Sequence, residues 1–126
     1  MSNVSPTFYL SSLDFTDGVL TLRMGDGRRP LGMLTFDHVR SFVFVKETDF
    51  WASFEAADRS PLLGDQTGEP RVHRVKTGAL VQRFLTPELA EEEPMIFLVW
   101  TPDECFEVVG FEAPRWALEL DVQPVL

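Results

Sequence analysis

Residues 95–110, Met-Ile-Phe-Leu-Val-Trp-Thr-Pro-Asp-Glu-Cys-Phe-Glu-Val-Val-Gly, decide how the rest of this chain can fold. Six apolar residues run without a break from Met95 to Trp100. They are too few for a buried helix, so they predict a strand that is covered on both faces. Thr101-Pro102-Asp103-Glu104 predicts a turn with proline at its second position, and Cys105 to Val109 predicts a returning strand. Together these segments predict a hairpin with a loop of about four residues.

Outward from this hairpin, the chain carries further strand patterns. Leu20 and Leu22 share one face of a segment whose other face is polar, which is the pattern of a half-buried strand. Phe42 and Phe44 alternate with two valines, so that strand is also expected to be covered on both sides. The predicted strands outside the hairpin are 7–15, 19–24, 31–36, 39–47, 71–76 and 116–122. Residues 49–58 fit a short helix and an extended segment about equally, and residues 59–70 fit a loop.

A helix is predicted near residues 77–86. Thr77 is a suitable N-cap, and the Thr86-Pro87 step is expected to end the helix or restart it. One apolar stripe follows the helical period: Leu80, Val81, Phe84 and Leu85.

The predicted fold class is α+β. Strands that are apolar on both faces require a sheet that curls on itself, stacks on a second sheet or is plugged by the helix. We therefore expect a strongly bent, mostly antiparallel sheet of about seven strands, which could close into a barrel, with the one helix packed against it. Residues 1–6 are expected to be a flexible tail and residues 7–126 a single globular domain.

The net charge of −9 is concentrated late in the chain. Residues 86–121 hold ten acidic residues against one base, Arg115, while the remainder balances ten acids with ten bases. Residues 71–83 contain four bases and no acid. An acidic surface disfavours nucleic acid and anionic membranes as partners and favours a basic protein. The alternative is that the acidity only keeps the protein soluble.

The remaining composition favours a cytoplasmic location. No apolar run approaches the roughly 20 residues that cross a bilayer, and the N-terminal residues lack the basic start and apolar block of a signal peptide. The single cysteine, Cys105, cannot form an internal disulfide and fits a reducing compartment.

No catalytic residue, metal site or cofactor is predicted. His38 and His73 belong to no His-x-x-x-His pair, and Cys105 to no Cys-x-x-Cys group. A Cys105–His73 pair could in principle supply a nucleophile and its base. A cysteine in the return strand of a hairpin is more simply a small buried side chain.

Two sets of candidate binding residues remain. Acidic residues on either side of the apolar strand could form one partner-binding surface, although they also suit a solvated connector and a turn: Glu88, Glu91, Glu92, Glu93, Asp103 and Glu104. Aromatic residues inside a curled sheet could line a small-molecule pocket: Phe42, Phe44, Phe97 and Trp100. Glu107 would face water or pair with a base, and we expect the wet face.

The order of features across residues 36–116 resembles a known family. Phe42-Val43-Phe44-Val45-Lys46-Glu47-Thr48-Asp49 ends a strand on an acid, and a Gly-containing loop, a short strand and the Thr77-led helix follow. An apolar strand and a turn then lead to Cys105-Phe106-Glu107-Val108-Val109 and Glu112-Ala113-Pro114. This pattern is similar to small bacterial α+β immunity proteins encoded beside polymorphic toxins. The resemblance implies a non-enzymatic, cytoplasmic, acidic binder of a protein partner.

Three functions are therefore expected in competition. The first is an immunity-like module that binds a basic protein through its acidic surface. The second is a small-molecule binder or enzyme with an apolar pocket inside the curled sheet. The third is a self-associating protein that forms a homodimer by pairing exposed edge strands.

Overall fold

The computed structural model describes residues 7–46, 60–63, 69–76 and 85–118. This part of the chain forms nine strands and one short helix, arranged as two antiparallel sheets. The first sheet has the order β1-β2-β3-β9 and the second has the order β4-β8-β7-β6-β5. The elements are β1 (Tyr9–Thr16), β2 (Val19–Gly25), β3 (Pro30–Phe36), β4 (Ser41–Lys46), β5 (Ser60–Leu63), β6 (Arg71–Val75), α1 (Pro87–Glu91), β7 (Met95–Trp100), β8 (Glu104–Gly110) and β9 (Arg115–Leu118).

The two sheets pack face to face around the main core. Residues that pair across strands share a face, so Leu22 of β2 and Leu34 of β3 point together toward the second sheet. The rings of Phe36 in β3 and Phe97 in β7 lie 5.6 Å apart and join the two layers. The core side chains between the sheets, each no more than 1% exposed, are Leu20, Leu22, Met24, Leu34, Phe36, Val72, Phe97, Val99, Phe106 and Val108.

The central hairpin of β7 and β8 is buried on both faces, as the unbroken apolar run predicts. On the face away from the first sheet, Leu98 and Cys105 are fully buried in a second cluster. Leu89 of α1 and the partly buried Phe111 belong to the same cluster. Placing apolar residues on both faces of the middle strands is possible because each face has its own cover.

The predicted α+β architecture with mostly antiparallel strands is confirmed, but the single sheet of about seven strands and its possible closure into a barrel are wrong. The described strands number nine and divide between two sheets. The division occurs at residues 37–40, where the chain leaves β3 in the first sheet and enters β4 in the second. The described edge strands of each sheet do not pair with each other or with the other sheet, so the two sheets stack and do not close into a barrel.

One local prediction needs correction, and one open alternative is decided. Residues 59–70 were expected to form a loop, yet Ser60–Leu63 forms the edge strand β5. An edge strand tolerates Pro61, whose missing N–H would break an interior ladder. The Thr86-Pro87 step was expected either to end the helix before an acidic connector or to restart it, and α1 begins at Pro87, where the second alternative places a helical segment.

Several other predictions fall outside the described residues. They are the tail at 1–6, the ambiguous segment 49–58, residues 77–84 of the predicted helix, and the end of the last strand after Leu118. Leu85 and Thr86, at the end of the predicted helix, are described and are not helical.

Candidate functional site

Helix α1 and the two residues that follow it present four of the predicted acidic residues to solvent. The Thr86 hydroxyl accepts a hydrogen bond from the backbone N–H of Leu89 at 3.1 Å and caps the helix, while Pro87 begins it. Leu89 points inward and is buried. The neighbouring glutamates are therefore exposed, and they are Glu88, Glu91, Glu92 and Glu93.

Three loops join α1 at the same end of the molecule. The backbone N–H of Val39, between β3 and β4, donates to the carbonyl of Gly18 in the β1–β2 turn at 2.8 Å. The next residue, Arg40, donates its N–H to the carbonyl of Val109 at 2.9 Å, just before the β8–β9 loop. The carboxylates collected here form what we call the acidic end: Asp17, Asp37, Glu88, Glu91, Glu92, Glu93 and Glu112.

Two arginines partly neutralise the acidic end. Arg40 makes two hydrogen bonds to the carboxylate of Glu92, at 3.1 and 3.3 Å, and its guanidinium carbon lies 5.9 Å from the ring centre of Phe111. Arg115 pairs with Asp37 at 2.9 Å. Both pairs are solvent-accessible, so each contributes at most about 1 kcal/mol to stability.

Among the described residues, most carboxylates of the acidic end are in no ion pair. Within the described ranges, no ion pair involves Asp17, Glu88, Glu91 or Glu93. Like charges at this spacing repel one another and produce a negative potential around the end of the molecule. The acidic end is therefore a surface that attracts cations.

His38 brings a titratable positive charge to the acidic end. Its Nδ1 atom contacts a carboxylate oxygen of Glu112. This hydrogen bond, and then the negative charges of Glu112 and Asp37, raise the pKa of His38 above the usual 6.5, although partial desolvation opposes the rise. Protonation of His38 thus reduces the local negative charge, and deprotonation restores it.

The backbone is strained at three positions of the acidic end, and the first is Asp17 in the β1–β2 turn, with φ of 53°. His38 has φ of 55° and Glu93 has φ of 54°, in the left-handed region that glycine occupies at lower cost. Glu93 lies where the chain leaves α1, a position that commonly holds glycine. An ionisable side chain at each strained position is consistent with a requirement for its charge.

Asp103 and Glu104 do not belong to the acidic end. Asp103 lies in the turn after β7, and Glu104 is the first residue of β8. Because β7 runs from Met95 to Trp100 at about 3.3 Å per residue, this turn is roughly 20 Å from Met95. The hydroxyl of Thr101 donates to a carboxylate oxygen of Glu104 at 2.7 Å and accepts the N–H of Glu104 at 3.0 Å. The single acidic surface expected from the sequence is therefore divided, and Glu104 holds the turn.

The predicted pocket residues also fall on different surfaces. Phe42, Phe44 and Phe97 share the inner face of the second sheet, because Phe42 and Phe97 both pair with Val108, and Phe44 lies two residues from Phe42. Trp100 pairs with Cys105 and lies on the opposite face. Phe97 is fully buried among core side chains, and Trp100 faces away from the three phenylalanines.

Glu107 is buried, which contradicts the expected wet face. Its exposed fraction is 1%, and it lies between Val43 of β4 and Leu98 of β7 in the second sheet. Glutamate at a fully covered position is uncommon, and the alternation pattern of β8 gives no sign of it.

Cys105 and His73 are on the same face of the second sheet but are separated by strand β7. Two strand spacings amount to about 10 Å, which is too far for a nucleophile and its base to share a hydrogen bond. The imidazole of His73 instead stacks on Trp100, with ring centres 4.6 Å apart and planes 6° from parallel. Among the described residues, no group of three or more His, Cys, Asp or Glu side chains could hold a metal ion.

A cleft that the sequence did not indicate lies beside the start of β1. It has a volume of about 330 Å³ and is lined by Tyr9, Leu10, Ser11, Gly25, Gly27, Arg28, Arg29 and Pro30. The carboxylate of Asp26 accepts the N–H groups of Arg28 and Arg29 at 2.8 and 2.9 Å, and these bonds lower the pKa of Asp26. Asp26 therefore shapes the β2–β3 turn that forms one wall of the cleft.

No protein-family model, curated protein or solved structure matches this chain. The described residues contain no helix of the length and apolarity that a bilayer-spanning segment requires. The acidic end, with four chain segments in direct contact, is thus the main structural guide to function.

Proposed function

We propose that this chain is a non-enzymatic, cytoplasmic protein-binding module of the immunity-protein kind, whose acidic end holds a basic protein partner. The observation that supports this most is the gathering, among the described residues, of seven carboxylates from four separate segments, three of which are paired with Arg40, Arg115 or His38. A cationic partner relieves the repulsion among these acids and is itself attracted by them.

The composition of the acidic end suits a protein better than a nucleic acid or a membrane. Phosphates and anionic lipids would be repelled by the uncompensated glutamates of α1. Phe111, half-buried under the guanidinium of Arg40, adds an aromatic surface next to the charges. Aromatic residues of this kind supply short-range binding energy, while the surrounding charges speed the encounter.

Removing charge from α1 tests the proposal. A partner is captured from a native lysate at about 50 mM NaCl, identified and purified, and its association rate is measured with each variant. We expect the double variant Glu88→Gln/Glu91→Gln to slow association roughly tenfold at that salt concentration, because two uncompensated charges leave the acidic end.

The matched control removes the same charge elsewhere. Glu69 precedes β6 and Asp103 lies in the β7–β8 turn, both at the opposite end of β7 from α1. Glu69→Gln/Asp103→Asn should therefore change association much less. The acidic end is not the binding site if both double variants act equally, if the partner has no basic surface, or if binding is indifferent to salt.

A further inference from the structure

Apart from an irregular register between Leu10 and Ser12, strand β1 lacks the features that usually protect a sheet edge. Natural edge strands are short, or they carry proline, lysine or other charged residues that discourage pairing with another chain. Of the four sheet edges in the described ranges, β5 contains Pro61, β9 begins at Arg115 and β4 ends at Lys46. By contrast, β1 has eight residues without lysine, arginine or proline, and its one charge is Asp14.

An apolar stripe runs beside this edge. Leu13 and Phe15 pair with Leu22 and Leu20, so they face the side of the second sheet. Nevertheless, Leu13 is 38% exposed and Phe15 is 43% exposed, since β1 extends past the cover that the second sheet provides. We call Leu13, Phe15 and Phe44 the β1 stripe; Phe44 lies on the adjacent edge strand β4 and is 47% exposed.

The two edges that carry the stripe lie on the same side of the molecule. The rings of Phe15 in β1 and Phe42 in β4 are in edge-to-face contact, with centres 5.2 Å apart. The stripe is therefore continuous from one sheet to the other. Continuous exposed apolar surface beside an open strand edge is a common feature of interaction sites.

We propose that two copies of this chain pair antiparallel along β1, so that the two first sheets join into one of eight strands and each copy covers the stripe of the other. A second copy is the occupant that fits because an antiparallel strand paired with itself about a two-fold axis forms a closed interface. A strongly charged partner would find little electrostatic attraction at this edge, because Asp14 is the only charged residue of β1. An axis near Leu13 places Asp14 opposite Ser12 of the other copy and keeps the two aspartates from facing each other.

The size of the surface implies a weak dimer. With roughly 200 Å² for each aromatic side chain, the exposed parts of Phe15 and Phe44 amount to somewhat under 200 Å² per copy. The irregular register between Leu10 and Ser12 also limits the regular edge to the second half of β1. Stable interfaces bury about 800 Å² per partner, so we expect a dissociation constant of about 10–100 µM.

Salt should strengthen this dimer. Each copy carries a net charge of −9, and screening reduces the repulsion between copies. Binding of a basic partner at the acidic end should respond in the opposite direction. The opposed responses to salt distinguish the dimer from the proposed partner binding, so the failure of one leaves the other standing.

Sedimentation of the full chain from about 10 to 500 µM, at about 50 and 500 mM NaCl, tests the dimer. We expect concentration-dependent dimerisation that tightens at high salt. Leu13→Lys and Phe15→Lys should each raise the dissociation constant at least about tenfold, because a charge would be buried in the pairing edge. Leu13→Lys keeps the Phe15–Phe42 contact, and circular dichroism verifies that each variant is folded.

Leu118→Lys is the matched control. Leu118 is 45% exposed and lies on the same face of the first sheet, at the opposite edge. The Leu118→Lys variant should dimerise with the same dissociation constant as the unmodified chain. A monomer throughout the concentration range at both salt concentrations would overturn the proposal. So would a dimer that Leu118→Lys disrupts and Leu13→Lys leaves intact.

Discussion

His38 is the residue through which pH should act on the acidic end. Glu112 stabilises the protonated imidazole, so the pKa of His38 is raised in the folded state relative to the usual 6.5. The His38–Glu112 pair therefore stabilises the folded protein fully at pH values below the unfolded-state pKa of His38. This stabilisation is lost as the pH rises through the raised folded-state pKa. We expect Glu112→Gln to return the pKa of His38 toward its ordinary value, as followed by NMR titration of the imidazole. Glu88→Gln, which removes a carboxylate that does not contact His38, should have a much smaller effect. An unchanged titration in Glu112→Gln would contradict the ion pair.

Gly32 in β3 lies very close to the neighbouring strand β9. A Cβ atom at this position would lie 2.3 Å from the carbonyl oxygen of Ala117 and 2.7 Å from a ring carbon of Trp116. We expect Gly32→Ala to lower the free energy of unfolding by about 1–3 kcal/mol, because the Trp116 ring and β9 must shift. Chemical denaturation followed by tryptophan fluorescence measures the loss. Gly110→Ala is the control, since its nearest neighbour would be 3.6 Å away, at ordinary contact distance. Equal stability of the two variants would show that β9 adapts without cost.

Among the elements, the β7–β8 hairpin has a hydroxyl at its turn that adds to the backbone hydrogen bond from the Thr101 N–H to the Glu104 carbonyl, at 2.9 Å. Thr101 is 3% exposed, and its hydroxyl accepts the N–H groups of Asp103 and Glu104 while donating to the carboxylate of Glu104. We expect Thr101→Val to cost about 1–3 kcal/mol of unfolding free energy, because these groups lose their partner in a part-buried turn. Thr101→Ser keeps the hydroxyl and should retain most of the stability in urea denaturation. A valine variant as stable as the serine variant would show that water replaces these bonds.

Strand patterns in this chain proved more informative than helix and loop patterns. The unbroken run at Met95–Trp100 and the alternation at Val19–Gly25 predicted the position and the burial of β7 and β2. Strand β5 was missed, because turn-forming residues surround it and its single partner, β6, lies beyond the intervening residues. Local periodicity reports which faces are buried, and an edge strand that depends on a distant partner leaves little local signal.

For the whole molecule, charge is distributed by the fold and not by position along the chain. Asp17 and Asp37, from the first third of the sequence, join the acids of α1, while Asp103 and Glu104 are carried to the far end of β7. The opposed salt dependences expected for partner binding and for dimerisation follow from this arrangement. The acidic end attracts its proposed partner by electrostatic interactions, which salt screens. The β1 edge is proposed to bind a second copy by strand pairing and burial of apolar side chains, which salt does not screen.

The sequence by itself determined that this chain is rich in antiparallel strands, that the hairpin at residues 95–110 is buried on both faces, and that the net charge lies in the final third. These follow from side-chain period, turn chemistry and composition, all of which are local. Only the tertiary structure decided the division into two sheets, the burial of Glu107 and the position of Trp100 opposite the other predicted pocket residues. Those outcomes depend on which distant strands pair and in what register, and pairing energies between strands far apart in sequence leave no periodic trace in either strand alone.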